Sequence, residues 1–447
     1  MAERSPSRRR FLAGIAAASA GALVGCDDIG IGRSGAVTLR FWNGFTGPDG
    51  RTMLGLVKRF NQQNPDVHVV MQRMEWGTYY NKLFVSHLGG RAPQVFVIHS
   101  DGVTRFNRAG FLRPMDDLAR PGAPASDGID ADDFDPNVWA AVERGGHHLG
   151  VPIDIHTIGM FYNRTLFRKA GIVDASGEPR PPRTRDEYLD ALRRLTRDDN
   201  GDGIRDAYGQ AMTWLRTNSY TYMRQWGGDI ASADGSTVTL DSPEAAAGMQ
   251  FVVDLIDKHK VIMPPESLSG FGGAFVGFRQ GKLGMVFEGI YYLPELRRQK
   301  DLDYGAAPIP QMGPKPAAWA SSHMVCLRND LGDDELAAAK RFVKFLSDNS
   351  LDWAEGGQIP VRKSLRDTDR FRGMTAQLAF ASQIPHAAYL PQSAFLNEFL
   401  AEFDPAVEKI LRRSQTPQKA FAVAATRIRT VLDRYARERG AVDGGGA

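Results

Sequence analysis

Three short β-rich runs recur along the first hundred residues: AVTLRFW (36–42), VHVVMQRM (67–74) and QVFVIH (94–99). Helical patterns separate them. RTMLGLVKRFNQQNP places Met53, Val57 and Phe60 on one face before Pro65 ends the run, and YYNKLFVSHLGG closes on glycines. The third run is continuously apolar, as in a strand covered on both faces. Strand and helix in alternation predict a mainly parallel α/β sheet. The rhythm restarts after HHLGVPIDIHTIGMFYNRTLF. It continues through the helices RDEYLDALRRLT and PEAAAGMQFVVDLIDKH, the strand LGMVFEG, the helix LAAAKRFVKFLSD and a helical C-terminal stretch. The pattern reads as two α/β lobes, each completed by a late returning segment, and 447 residues suit two domains.

The N-terminal segment SRRRFLAGIAAASAGALVGC (7–26) has a different character. Arg8, Arg9 and Arg10 form a cationic head, and Phe11–Val24 is a 14-residue apolar run, shorter than the about 20 residues a membrane span needs. This is a secretory pattern. SRRRFL resembles a twin-arginine export signal, and LVGC resembles the lipobox of bacterial lipoproteins. That resemblance implies cleavage of residues 1–25, lipidation of Cys26 and a flexible tether over 26–35, so the protein would work outside the cytoplasm, held to a membrane surface by lipid alone. The signal carries a formal charge equal to the whole chain's +3, so the body is near neutral. A neutral body argues against nucleic-acid binding, which draws on a basic stripe. Only Cys326 then remains, set in HMVCL, which excludes an intrachain disulfide and reads as a buried thiol. The literal G-x-G-x-x-G at Gly30–Gly35 has no strand before it and no helix after it, and carries no nucleotide-binding implication. Residues 438–447 read as a disordered tail.

Reactive signatures are missing: no G-x-S-x-G, H-E-x-x-H or G-x-x-x-x-G-K-[ST] occurs. A family resemblance is carried by an ordered set of blocks spanning nearly the whole body: LRFWNGFTGPDGRTMLGLVKRFNQQNPDVHV, APQVFVIHSDGVTRFNRAGFLRPMDDL, GVPIDIHTIGMFYNRTLFRKAGI, PPRTRDEYLDALRRLTRD, FRQGKLGMVFEGIYYLPEL, AAWASSHMVCL and FVKFLSDNSLDWAEGGQIPVRKSL. The chain resembles the extracellular solute-binding proteins of the carbohydrate type, which capture solutes for bacterial ABC importers. The resemblance implies a two-lobed, periplasmic-binding-protein-like α/β fold whose hinge closes on a ligand in the cleft between lobes. The expected lobes are 36–152 with 306–348, and 153–305 with 349–437. Crossings are expected near Val151–Ile155, Ala306–Pro310 and Ser347–Ser350. The implied partners are a carbohydrate and the permease subunits, the expected state is a monomer, and neither an enzymatic activity nor a cofactor is implied.

Sugars offer hydroxyls around apolar faces, so a site needs hydrogen-bonding groups and aromatic rings. Ligands of α/β sheets sit outside the carboxyl ends of strands. After the first strand, Phe45 and Thr46 are the cleft candidates. After the third come His99, Ser100 and Asp101; Asp101 stands equally for a hydroxyl acceptor, by family resemblance, and for a helix cap. Trp76 fits either core or cleft rim. At the first crossing, Asp154 and His156 should face the gap, His156 with a satisfied core histidine as its alternative. In the second lobe, Trp226 before two glycines is a stacking candidate. In the family, the turn after Gly289 offers an aromatic, here Tyr291. A loop after the second crossing contributes Trp319, Ser322 and His323. DDNGDGIRD sets Asp198, Asn200, Asp202 and Asp206 at calcium-loop spacing, but position 12 is Gly209 rather than Glu, and a solvated turn competes with a structural Ca2+. Rival readings are a binder of glycerol-phosphate esters, which an arginine-lined cleft would favour, a secreted carbohydrate-active enzyme, which needs paired carboxylates, and an adhesin.

Overall fold

In the computed structural model, residues 35–267 and 273–444 are described; the export signal, Cys26 and the tether through residue 34 lie outside them. The first sheet runs in the order β2 (Val67–Arg73), β1 (Val37–Asn43), β3 (Val95–His99), β11 (His323–Leu327), β4 (Val151–Pro152). Its β1, β2 and β3 are parallel, while β11 runs antiparallel to β3 and β4 to β11. Along β3, Val95 and Val97 enter one apolar core while Phe96 and Ile98 enter another. Both faces are covered, which is why that run is apolar without alternation.

The second sheet is built on β5 (Asp154–Asn163), a strand buried along its whole length. Its order is β7 (Ile262–Met263), β6 (Tyr208–Ala211), β8 (Leu283–Gly289), β5, β10 (Ala318–Ser321), β13 (Ala387–Ala388), and β9 (Tyr304–Ala307) and β12 (Ile359–Pro360) also pair with β5. β6, β7 and β8 are parallel; β8 is antiparallel to β5. Helices Leu396–Leu411 and Pro417–Gly444 pack on each other and on Leu215–Gln225 and Pro243–Asp257. The last helix continues through Gly444, so the tail expected from residue 438 is helical at its start: propagation adds a hydrogen bond per residue, and Arg and Glu are good helix formers. Among the described residues, no helix is long and apolar enough to cross a membrane.

The chain crosses between lobes at Pro152–Asp154, as expected, but the other two crossings fall later than 306 and 348. β9 pairs with β5, and β10 still belongs to the second sheet; the chain re-enters the first at Ser322–His323. A buried amide holds the intervening segment back. Gln225 donates to the carbonyls of Pro310 and Ala317 and accepts from the N–H groups of Met312 and Gly313. Residues 350–356 remain packed on helix Pro48–Gln63, where Arg59 donates to Asn349 and Asp352. Gly357, with φ of 109°, a region favouring glycine, then turns the chain into β12 on the second sheet.

Removing the Gln225 side chain leaves four backbone groups unpaired, three of them in buried bonds, and each buried group costs about 1–3 kcal/mol when unsatisfied. Gln225→Ala is therefore expected to lower unfolding free energy by at least about 3 kcal/mol. A urea midpoint equal to wild type would refute this anchoring role.

Candidate functional site

At the lobe junction lies the fully buried carboxylate of Asp154. It accepts from the backbone N–H of His323 (3.1 Å), His323 Nδ1 (2.7 Å) and the Trp353 indole (2.6 Å), with His156 Nδ1 at 3.4 Å. Burial pushes the carboxyl upward, but the charge and hydrogen bonds of His323 and His156 outweigh it and hold Asp154 well below the usual carboxylate range. His99, at the carboxyl end of β3, completes a group of three imidazoles, one ring nitrogen of each lying within 4.8 Å of those of the other two. Burial, then the neighbouring His323, lowers His156 to about 4; burial, His323 and His156 push His99 well below its ordinary value. Trp76 closes the group, stacking on His323 with centroids 5.6 Å apart and tilted against His99 at 4.5 Å. Gly44 permits this approach, because a Cβ there would drive into the Trp76 ring.

Beside the histidines, a small cavity of about 10 Å3, room for roughly one water, lies where the two lobes meet. Ser100, Asp101 and Ala141 line it from the first lobe; Ser321, Tyr389 and Gln392 line it opposite. The lobes touch around it. Ser100 Oγ and Ser321 Oγ are 3.2 Å apart, and the Gln392 amide donates to the Ala141 carbonyl. Asp101 does not cap helix Val103–Arg108. Burial pushes its carboxyl up, and Arg216 partly offsets this. The Ser322 and Tyr389 hydroxyls are 3.3 Å apart. Trp319 and His323 come from adjoining strands, and Ser322 is the single residue that joins them, rather than the expected loop.

On the second lobe, Glu288 at the end of β8 accepts from the Trp214 indole and the Gly289 N–H. Trp214 is 58% exposed and has a left-handed backbone (φ 39°), a strained state that clusters at functional sites. Its ring meets Tyr291 edge-on at 6.0 Å, and Tyr291 faces His156 at 6.4 Å. Gly289 makes room for the Tyr291 ring, which any Cβ there would strike.

The structure thus gathers His99, Ser100, Asp101, Asp154, His156, Ser322, His323, Trp76, Trp319 and Tyr291 around one junction. Two expected contacts lie elsewhere. Phe45 is fully buried behind Trp76, His323 and Trp353, because its ring fills the space under the hinge; Thr46 beside it is exposed. Trp226 packs on Phe251 and under Arg185, away from the cavity, so the exposed tryptophan of that aromatic-dense segment is Trp214. Tyr389, Gln392, Ser321 and Trp353 join the site without a sequence signal beyond polarity or aromaticity. In the 198–206 loop, Asp198 accepts from the N–H groups of Gly201 and Gly203, Asp202 from Ile204, and Asp206 from Asp199, and Asn200 donates to Asp202. Those oxygens serve the turn itself.

The family described as bacterial extracellular solute-binding protein matches residues 46–350. The sn-glycerol-3-phosphate-binding periplasmic protein UgpB of Shigella flexneri serotype 5b is 23% identical over 439 residues, covering 91% of this chain and 95% of that protein. Among solved structures, the cyclic alpha-maltosyl-1,6-maltose binding protein from Arthrobacter globiformis superposes with a TM-score of 0.74 at 23% identity, covering 90% of this chain and 100% of that one. UgpB from Mycobacterium tuberculosis in complex with glycerophosphocholine gives 0.74 at 22% identity, with the same coverage. These likenesses show the common fold.

Burial raises Glu288 to about 7, against the opposing hydrogen bonds of Gly289 and Trp214. A pKa raised in the folded state stabilises at low pH, and that contribution is lost as pH climbs from the unfolded value near 4.5 through about 7. Glu288→Gln keeps the acceptor without the ionisation. Its stability relative to wild type should improve between pH 5 and pH 8, by up to about 3 kcal/mol; parallel denaturation curves at both pH values would contradict this.

Proposed function

The chain belongs to the bacterial extracellular solute-binding proteins, and on that premise we propose that it captures a carbohydrate or related polyol between its lobes and delivers it to an ABC permease. The observation that carries this reading is the lining of the interlobe cavity. Hydroxyls, an amide and a single carboxylate meet there from both lobes, and no lysine or arginine lines it. A neutral polyhydroxylated solute matches such a surface, with Asp101 as a strong acceptor. The Trp319 indole N–H, buried and without a hydrogen-bond partner among the described residues, supplies a donor, and Trp214 and Tyr291 supply rings for apolar sugar faces.

Contacts from both lobes favour the closed state only when solute bridges them, which makes closure report occupancy. We read the protein as a binder rather than a catalyst on the strength of its family. The N-terminal pattern supports export with a lipid anchor at Cys26. The names of the relatives favour a second reading, a glycerophosphodiester or sn-glycerol 3-phosphate. Against it, the arginines near the site already have partners: Arg216 pairs with Asp404 while acting on Asp101 through its charge, Arg144 donates to Thr104 and to the Ala141 carbonyl, Arg224 pairs with Asp229, and Arg105 lies over the Phe84 ring.

A thermal-shift panel of mono- and oligosaccharides, sn-glycerol 3-phosphate and glycerophosphocholine separates the two. A true ligand at a hundredfold excess over its Kd stabilises the fold by about 2.7 kcal/mol. Asp101→Ala should weaken that ligand about 10- to 100-fold, the loss of a charge-assisted hydrogen bond. A response confined to the phosphate esters would replace the carbohydrate reading, and silence across the panel would remove both.

A further inference from the structure

We propose that His99, His156 and His323 form a binding site for a divalent transition metal ion of the Zn2+ class at the junction of the two lobes. The three residues come from separate elements: the carboxyl end of β3, the beginning of β5 and the first position of β11. Their rings nonetheless converge, with centroid separations of 4.4 Å for His156–His323, 4.8 Å for His99–His323 and 5.4 Å for His99–His156.

Each ring is oriented through Nδ1. Asp154 holds His323 and His156, and the Tyr80 hydroxyl holds His99. No hydrogen bond engages the Nε2 of any of the three among the described residues. A carboxylate or similar group on one nitrogen, with the other left for metal, is how ligating imidazoles are commonly fixed. Three imidazoles suit Zn2+, Cu2+ or Ni2+, whereas Ca2+ and Mg2+ want oxygen. Three protein ligands leave a fourth position of Zn2+ for water or an oxygen of a bound molecule. Zinc–nitrogen bonds of about 2.0–2.1 Å put tetrahedral nitrogens roughly 3.3 Å apart, so the rings must draw in from their 4.8 Å limit. Because His99 belongs to one sheet and His156 to the other, a shared ion would set the spacing of the lobes.

The test titrates the chelator-treated full chain with Zn2+ alone, by calorimetry and thermal shift, and records the visible spectrum of its Co2+ complex. One equivalent should bind with a sub-micromolar Kd and raise the melting temperature, and Co2+ should give the intense bands of four- or five-coordinate nitrogen ligation. His99→Gln should weaken Zn2+ at least tenfold while the metal-free melting temperature holds, and His156→Gln should weaken Zn2+ at least as much. Replacing the histidine pair outside the junction, His147→Gln with His148→Gln, should leave binding unchanged. Absence of stoichiometric binding, a weak six-coordinate all-oxygen Co2+ spectrum, or binding lost with the His147–His148 pair but kept in His99→Gln would each overturn the proposal. The Co2+ spectrum of the unsubstituted chain decides the matter if a variant fails to fold. No solute is present in these titrations, so they stand or fall apart from the carbohydrate reading.

Discussion

One buried carboxylate holds the hinge together. Asp154 starts β5 at the first crossing; His323, which donates to it twice, starts β11 at the second; Trp353, whose indole it accepts, lies just ahead of the third. Burying a charge of this kind costs several kcal/mol unless its lone pairs are met. Here the donors come from all three straps, so the compensation for the charge is also what ties the straps side by side. Two lobes with separate sheets and separate cores can then move about a common pivot without the connecting strands drifting apart.

The rest of the site follows from that pivot. Pairing of β11 with β3 places His323 opposite His99, and pairing of β10 with β5 places Ser321 opposite His156. The carboxyl end of β3 therefore opens onto the same gap as the second lobe's strands, and Ser100 and Asp101 reach the cavity from the turn that follows. Phe45 and Trp353 fill the space beneath the histidines, while Trp76 covers them from the side. The polar lining and the imidazole group are thus neighbours with different chemistry: one offers oxygens and an amide, the other ring nitrogens.

Much of this was legible in the residues. The periodicities located the strands and helices of both lobes, and the apolar stretch ending in His99 marked a covered strand with a polar turn after it. The first crossing was also readable, since Asp154 and His156 alternate with apolar neighbours. The later crossings were displaced because Gln225, far away in sequence, satisfies four backbone groups of 310–317 and keeps that segment on the second lobe. Trp226 and Trp214 share one aromatic-rich stretch, and local pattern does not distinguish the one that packs on Phe251 from the one that faces solvent. Phe45 followed a strand as a cleft residue should, yet a large apolar ring beside a hinge is worth more as filling.

The order of amino acids alone determined the two α/β lobes, the near-neutral body and the polar residues at the ends of strands, because these depend on local periodicity, composition and short spacing. Tertiary structure decided which of those residues meet. The union of Asp154 with His323 and Trp353, the convergence of three histidines, and the cavity between Asp101 and Tyr389 each join segments more than fifty residues apart. Such contacts arise from strand pairing and from the need to satisfy buried polar groups, and neither leaves a local trace along the chain.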